Sequence, residues 1–157
     1  SVGMLEHVGV ENYPALGAVV KNCLKESGRG LIHSIGRNHP GQMSAWIERR
    51  IFPGAHPPTL SEMMQIIEPH NFSLLDVENL RMHYGRTLAH WLERFEANTD
   101  KIQAMTDHAF VRAWRLYLAG SMASFTAGDL QLFQIVFAPG HSNSVPWTRW
   151  HQYNVAR

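Results

Sequence analysis

The sequence holds one cysteine, Cys23, in 157 residues. That excludes an intramolecular disulfide framework and agrees with a reducing compartment. Uninterrupted apolar stretches stop at about five residues, far short of the roughly 18 that a membrane span needs. Residues 1–9 lack the charged-then-apolar layout of a signal peptide, so a soluble chain is expected. There is no excess of one charge: 14 Lys+Arg face 13 Asp+Glu, a formal net charge of +1. This excludes a polybasic nucleic-acid binder acting through counterion release alone. No GxGxxG or GxxxxGK[ST] nucleotide loop occurs, and no GxSxG elbow of a Ser-His-Asp hydrolase. What is present is enough apolar side chain, 45% against 17% charged, to build one ordinary domain with a core.

Hydrophobic spacing gives an α/β order. Leu16, Val19, Val20, Cys23 and Leu24 share a stripe of a helix over 11–26, stopped by Gly28 and Gly30. The glycine-bounded run 30–36 reads as a strand buried on both faces of a parallel sheet. A short helix is expected over 44–51, and Thr59 with Glu62 opens a capping box for a helix to Ile67. A strand follows within 69–80, from which Asp76 and Glu78 are expected to depart. Two long helices are expected over 80–105 and 107–127, the second stopped by Gly128. Leu130 to Phe137 reads as a final strand. A doubly wound domain opens with a strand and a glycine turn. This chain opens on a loop, and so reads as the second half of such a fold.

Several side chains could carry chemistry. Glu6 and His7, in a glycine-flanked loop, fit either a catalytic acid and base or a capping carboxylate. His33 fits a core histidine bonded to backbone. It also fits a ligand group, because ligands of open α/β sheets bind outside the carboxyl ends of strands. Tyr84 lies on the apolar stripe of its helix and reads first as core. The ten histidines show neither HxxxH nor HExxH spacing, so no metal site is expected. Arg112, Trp114, Arg115 and Tyr117 suit either lipid phosphate or an exposed helix edge. The tail with Trp147, Arg149, Trp150 and Tyr153 suits either a membrane boundary or a segment pinned to its own domain.

The ordered runs "MLEHVG", "GLIHSIG", "WIERRIFPG…PPTLSE", "DVENLRMHYGRTLAHWLERFEAN" and "RAWRLYLAGSMASFTAGDLQLFQIVF" add a resemblance. Together they resemble the C-terminal part of the methyltransferase domain of cyclopropane-fatty-acyl-phospholipid synthases and mycolic acid cyclopropane synthases. The likeness spans about Met4 to Phe137. It divides the chain into 1–138, the C-terminal part of that domain without its glycine-rich loop, and an aromatic, basic tail over 139–157.

The resemblance implies a Rossmann-like class I S-adenosylmethionine-dependent fold with its last strand antiparallel. It implies methyl transfer to the cis double bond of a phospholipid acyl chain, giving a cyclopropane fatty acid. Simple C-methylation to a branched chain and a non-catalytic lipid-binding fragment are the alternatives. It further implies a bicarbonate ion as base, held by Glu6, His33, the Ile35 backbone amide and Tyr84. Ser121 stands where many members carry a cysteine. A hydroxyl without a base is a poor nucleophile, so packing or backbone bonding is expected there. The family's S-adenosylmethionine loop and anion-contacting cysteine have no counterpart in this sequence, so no cofactor-binding residue is expected in it; a piece of a longer enzyme and a free-standing fragment both fit. The resemblance also implies cytoplasmic action at the inner membrane face. A homodimer through an exposed sheet edge is a further expectation.

Overall fold

The computed structural model describes residues 1–153; the last four positions of the expected tail, 154–157, lie outside the described residues. Three strands make the sheet: β1 (Gly30–Gly36), β2 (Phe72–Asn79) and β3 (Gln131–Pro139), in the order β1-β3-β2. β3 runs antiparallel to both neighbours, as the resemblance implies for the last strand. The expectation of a strand buried on both faces of a parallel sheet is therefore corrected. β1 alternates buried Ile32, Ser34 and Gly36 with half-buried or exposed Leu31, His33 and Ile35. That alternation is the mark of an antiparallel ladder with unequal faces. The outer edge of β1 is met in part by the first residues, where Val2 forms a parallel bridge with His33.

One face of the sheet is covered by α1 (Tyr13–Cys23) and α3 (Leu60–Ile67). Tyr13, Met63, Ile66 and Ile67 meet Ile32, Phe133, Ile135 and Phe137 there. Gly17 permits the close approach of the two helices. A Cβ on it would stand 2.7 Å from the Ile66 carbonyl oxygen and 2.2 Å from the His70 ring. The Thr59 hydroxyl accepts from Glu62 N–H at 3.1 Å, while the Glu62 carboxylate accepts from Thr59 N–H at 2.6 Å. The capping box is thus present as expected. Burial alone would raise the Glu62 carboxyl, but the bonds from Thr59 and His56 hold it below its ordinary value. Thr59→Ala is expected to cost about 0.5–2 kcal/mol, read as a lower urea midpoint with an unchanged slope.

The other face carries α4 (Arg81–Glu96) and α6 (His108–Ala127), with α5 (Thr99–Met105) between them. Leu88, Phe95, Val111, Leu118, Phe125 and Leu132 form that core. The single helix expected over 80–105 breaks at Ala97–Asn98. Asn98 Nδ2 donates to Arg94 O at 2.9 Å and the Thr99 hydroxyl to Phe95 O at 3.2 Å. These side-chain bonds take carbonyls that a continuing helix would use. α1 ends at Cys23, short of the expected 26, because Leu24 turns extended with ψ of 125°. Asp76 and Glu78, expected to depart, remain in β2 opposite Val136 and Gln134, with an irregularity between Leu74 and Asp76 absorbing the misfit.

Arg115, read above as suiting either lipid phosphate or an exposed helix edge, pairs with Glu96 through Nε at 2.5 Å and Nη2 at 2.7 Å. Trp114 and Tyr117 pack against the α4–α6 core. The short helix α2 (Ala45–Arg50) precedes the loop that returns to Thr59, and α7 (Trp150–Tyr153) closes the described tail. Arg149 and Gln152 bind the Asp76 carboxylate, pinning the tail to β2, yet Trp147 remains 99% exposed.

Candidate active site

A cavity of about 840 Å³ opens beyond the carboxyl end of β1, the usual ligand position in an open α/β sheet. Its floor is the short turn Leu5–His7, which three contacts hold in place. Leu5 is buried, the Tyr13 hydroxyl donates to Leu5 O at 3.3 Å, and His56 N–H donates to Glu6 O at 2.7 Å. The run with Pro57, Pro58 and Thr59 therefore has a task beyond starting α3: it fixes the main chain of Glu6. Burial, with Glu62, Glu6 and Glu11 adding to it, pushes the Tyr13 phenol far above its ordinary value. The unfolded phenol ionises near pH 10, so the folded state should lose stability as pH rises past about 10. Urea midpoints at pH 8, 10 and 11 check this, and Tyr13→Phe should flatten the loss.

Glu6 is buried to 7% exposure. Its Oε1 accepts from Ile35 N–H at 2.5 Å, while Oε2 is buried without a hydrogen-bond partner. Leaving a buried acceptor unpaired costs about 1–3 kcal/mol, so this atom marks a place where another group belongs. Tyr84, from the first turn of α4, lines the same cavity. Its ring stacks edge-on against Phe125 at 4.8 Å and Trp91 at 6.1 Å. Burial first, and then the nearby Glu6 charge, push the phenol above its ordinary value, so Tyr84 stays a neutral donor at physiological pH.

The structure thus brings together Glu6, the Ile35 backbone, Tyr84 and Ser121 around one cavity. It leaves His33 two positions back along β1, off the cavity lining, with Nδ1 3.1 Å from Gln134 Nε2. The Ile35 amide, expected to hold an anion, here orients Glu6. Ser121 is half-buried on the cavity side of α6.

Sequence reasoning named Tyr117 and His7 for other roles and passed over Phe52, Trp46 and Arg37, which line the same cavity. Phe52 contacts Tyr117 edge-on at 5.7 Å and the His7 ring at 5.9 Å, and Trp46 of α2 lies beside them. Burial and then Tyr84 raise the Tyr117 phenol. Arg37 also lines the cavity, with Nη1 donating to Gln42 O at 3.2 Å and Nε buried without a partner. One signal for the cavity was legible. Gly120, Ser121 and Ser124 place small residues on the cavity side of α6, leaving room beside it.

The sequence model of the family described as mycolic acid cyclopropane synthetase matches residues 1–135. The chain belongs to that family. It is 37% identical to a probable fatty acid methyltransferase of Pseudomonas putida over 98% of its own length and 41% of that protein's. It is 38% identical to the cyclopropane-fatty-acyl-phospholipid synthase of Escherichia coli K12 over 92% of its length and 38% of that enzyme's. The chain therefore spans about two fifths of these relatives.

Among solved structures it matches mycolic acid cyclopropane synthase CmaA1 complexed with SAH and CTAB, with a TM-score of 0.81 and 25% identity over 87% of this chain and 53% of that one. The cyclopropane synthase MmaA2 of Mycobacterium tuberculosis gives a TM-score of 0.80 at 24% identity, over 88% of this chain and 53% of that one. The three strands and their helices are accordingly part of a class I methyltransferase fold. The family match ends at residue 135, inside β3 and short of the tail.

Proposed function

We propose that the protein is an S-adenosylmethionine-dependent methyltransferase acting on the cis double bond of an unsaturated phospholipid acyl chain, with bicarbonate as the base. The observation that carries this reading is the unpaired, buried Oε2 of Glu6 on the wall that also bears Tyr84. A carboxylate oxygen without a donor suits a ligand that is itself protonated, and bicarbonate brings one hydroxyl. Tyr84, kept neutral, suits the ion's charged oxygens as donor. His33 is the third holder in this reading, and the Ile35 amide fixes the acid.

When bound, S-adenosylmethionine supplies an electrophilic methyl, and bicarbonate accepts the proton shed on ring closure. The chain has no glycine turn of the dinucleotide type, so no step toward the cofactor is assigned to its residues. Their work is on the acyl chain. Trp46, Phe52, Tyr84, Tyr117 and Phe125 give the cavity aromatic walls. Such walls accept an apolar chain, exclude water, and present ring faces that stabilise positive charge on carbon. Glu6 and Tyr84 localise proton removal at one wall.

The test is lipid analysis of a host expressing the full-length protein. Phospholipid acyl chains gaining one methylene with loss of the double bond are expected. Unchanged acyl chains contradict the proposal, and a branched chain without a ring contradicts its ring-closing step.

A further inference from the structure

Gln134 lies directly across the β1–β3 ladder from His33. Both main-chain groups of His33 are turned the other way: its N–H donates to Ser1 O at 2.8 Å and its carbonyl accepts from Gly3 N–H at 2.9 Å. His33 and Gln134 are therefore a non-hydrogen-bonded pair of the antiparallel ladder. Such pairs have the closer Cα spacing, about 4.5 Å, and the most direct side-chain contact. The result is the 3.1 Å approach of Gln134 Nε2 to His33 Nδ1.

The amide nitrogen of glutamine has only hydrogens to offer, so the ring nitrogen facing it must present a lone pair. In neutral imidazole the proton then sits on Nε2, the ring's one remaining donor. The geometry points to Gln134 as a positioning residue: it fixes His33 in the Nε2–H tautomer, the form that can donate to a bound oxyanion. The inference rests on the anion-holding role proposed for His33. Without the glutamine, the Nδ1–H tautomer becomes accessible and the donor moves to the wrong side of the ring. No sequence spacing announces the pair, since the two residues stand 101 positions apart and only strand register joins them.

The full-length protein labelled in its histidine rings tests this by heteronuclear NMR, with His33 assigned by its loss in His33→Gln. Wild-type His33 is expected as the Nε2–H tautomer. Gln134→Glu presents only an acceptor to Nδ1 and should move the proton there. Gln134→Met, which adds no charge opposite Glu78, should leave a mixture of tautomers. Both variants should lower kcat about tenfold to a hundredfold, the usual effect of losing the partner that orients an imidazole. Both should also raise the bicarbonate concentration needed for half-maximal rate, with KM for the acyl substrate unchanged. An Nδ1–H tautomer in the wild type overturns the inference. So does a wild-type tautomer and rate in Gln134→Met while His33→Gln is impaired, which leaves the anion-holding role standing. Full rate in His33→Gln overturns that role and this inference together.

Discussion

Replacing Glu6 by glutamine in the full-length protein is expected to reduce ring formation by about a hundredfold to ten-thousandfold, the range for losing a positioned acid or base. The melting temperature should stay unchanged or rise. Both halves follow from the same geometry. Glutamine keeps a carbonyl oxygen for the Ile35 N–H that Glu6 Oε1 now accepts. It replaces the unpartnered Oε2 with a neutral group, removing the desolvation cost of a buried carboxylate. If Glu6 were there for folding, taking away its charge would destabilise the turn that Tyr13 and His56 hold. A site held at the expense of stability gives the opposite sign. Ring formation near wild-type level, or a melting temperature lowered by several degrees, would show that Glu6 is structural.

The second large effect is expected at Tyr84. Tyr84→Phe removes one donor and leaves the ring, whose edge-on contacts with Phe125 and Trp91 need no hydroxyl. A hydrogen bond to a charged group is worth about 1.5–3 kcal/mol. The rate should therefore fall about tenfold to a hundredfold, with the urea midpoint nearly unmoved. Because burial and the Glu6 charge raise the Tyr84 phenol above its ordinary value near 10, it holds its proton throughout the pH range below 10. Any alkaline decline in rate below that pH should then persist in Tyr84→Phe with the same midpoint. A decline that vanishes in the variant would mean that Tyr84 ionises, and would remove it as the neutral donor.

Much of this was legible in the chain itself because its signals are local. The box at Thr59 and Glu62 and the left-handed Gly128 that ends α6 are short-range chemistry. The break at Asn98 is local too, but two side chains bonding backward create it, and hydrophobic spacing continues through the gap. The antiparallel setting of β1 was hidden for a different reason. A glycine-bounded apolar run looks alike in either ladder, and only pairing with β3 exposes the alternation.

At the site, Glu6 was open to suspicion from residue type and position, whereas Tyr84 read first as core and only the resemblance singled it out. That Trp46, Phe52 and Tyr117 line one cavity was not legible, because they come from α2, a loop and α6, far apart in the chain. Gln134 was invisible in the same way. A one-residue slip of β3 would send it to the other face.

The most direct measurement is the rate of the full-length enzyme in buffer stripped of carbon dioxide, as bicarbonate is added back. The rate should fall on depletion and recover on addition, and Glu6→Gln should need far more bicarbonate to recover at all. A wild-type rate indifferent to depletion would contradict the claim that Glu6 and Tyr84 hold the ion that takes the proton.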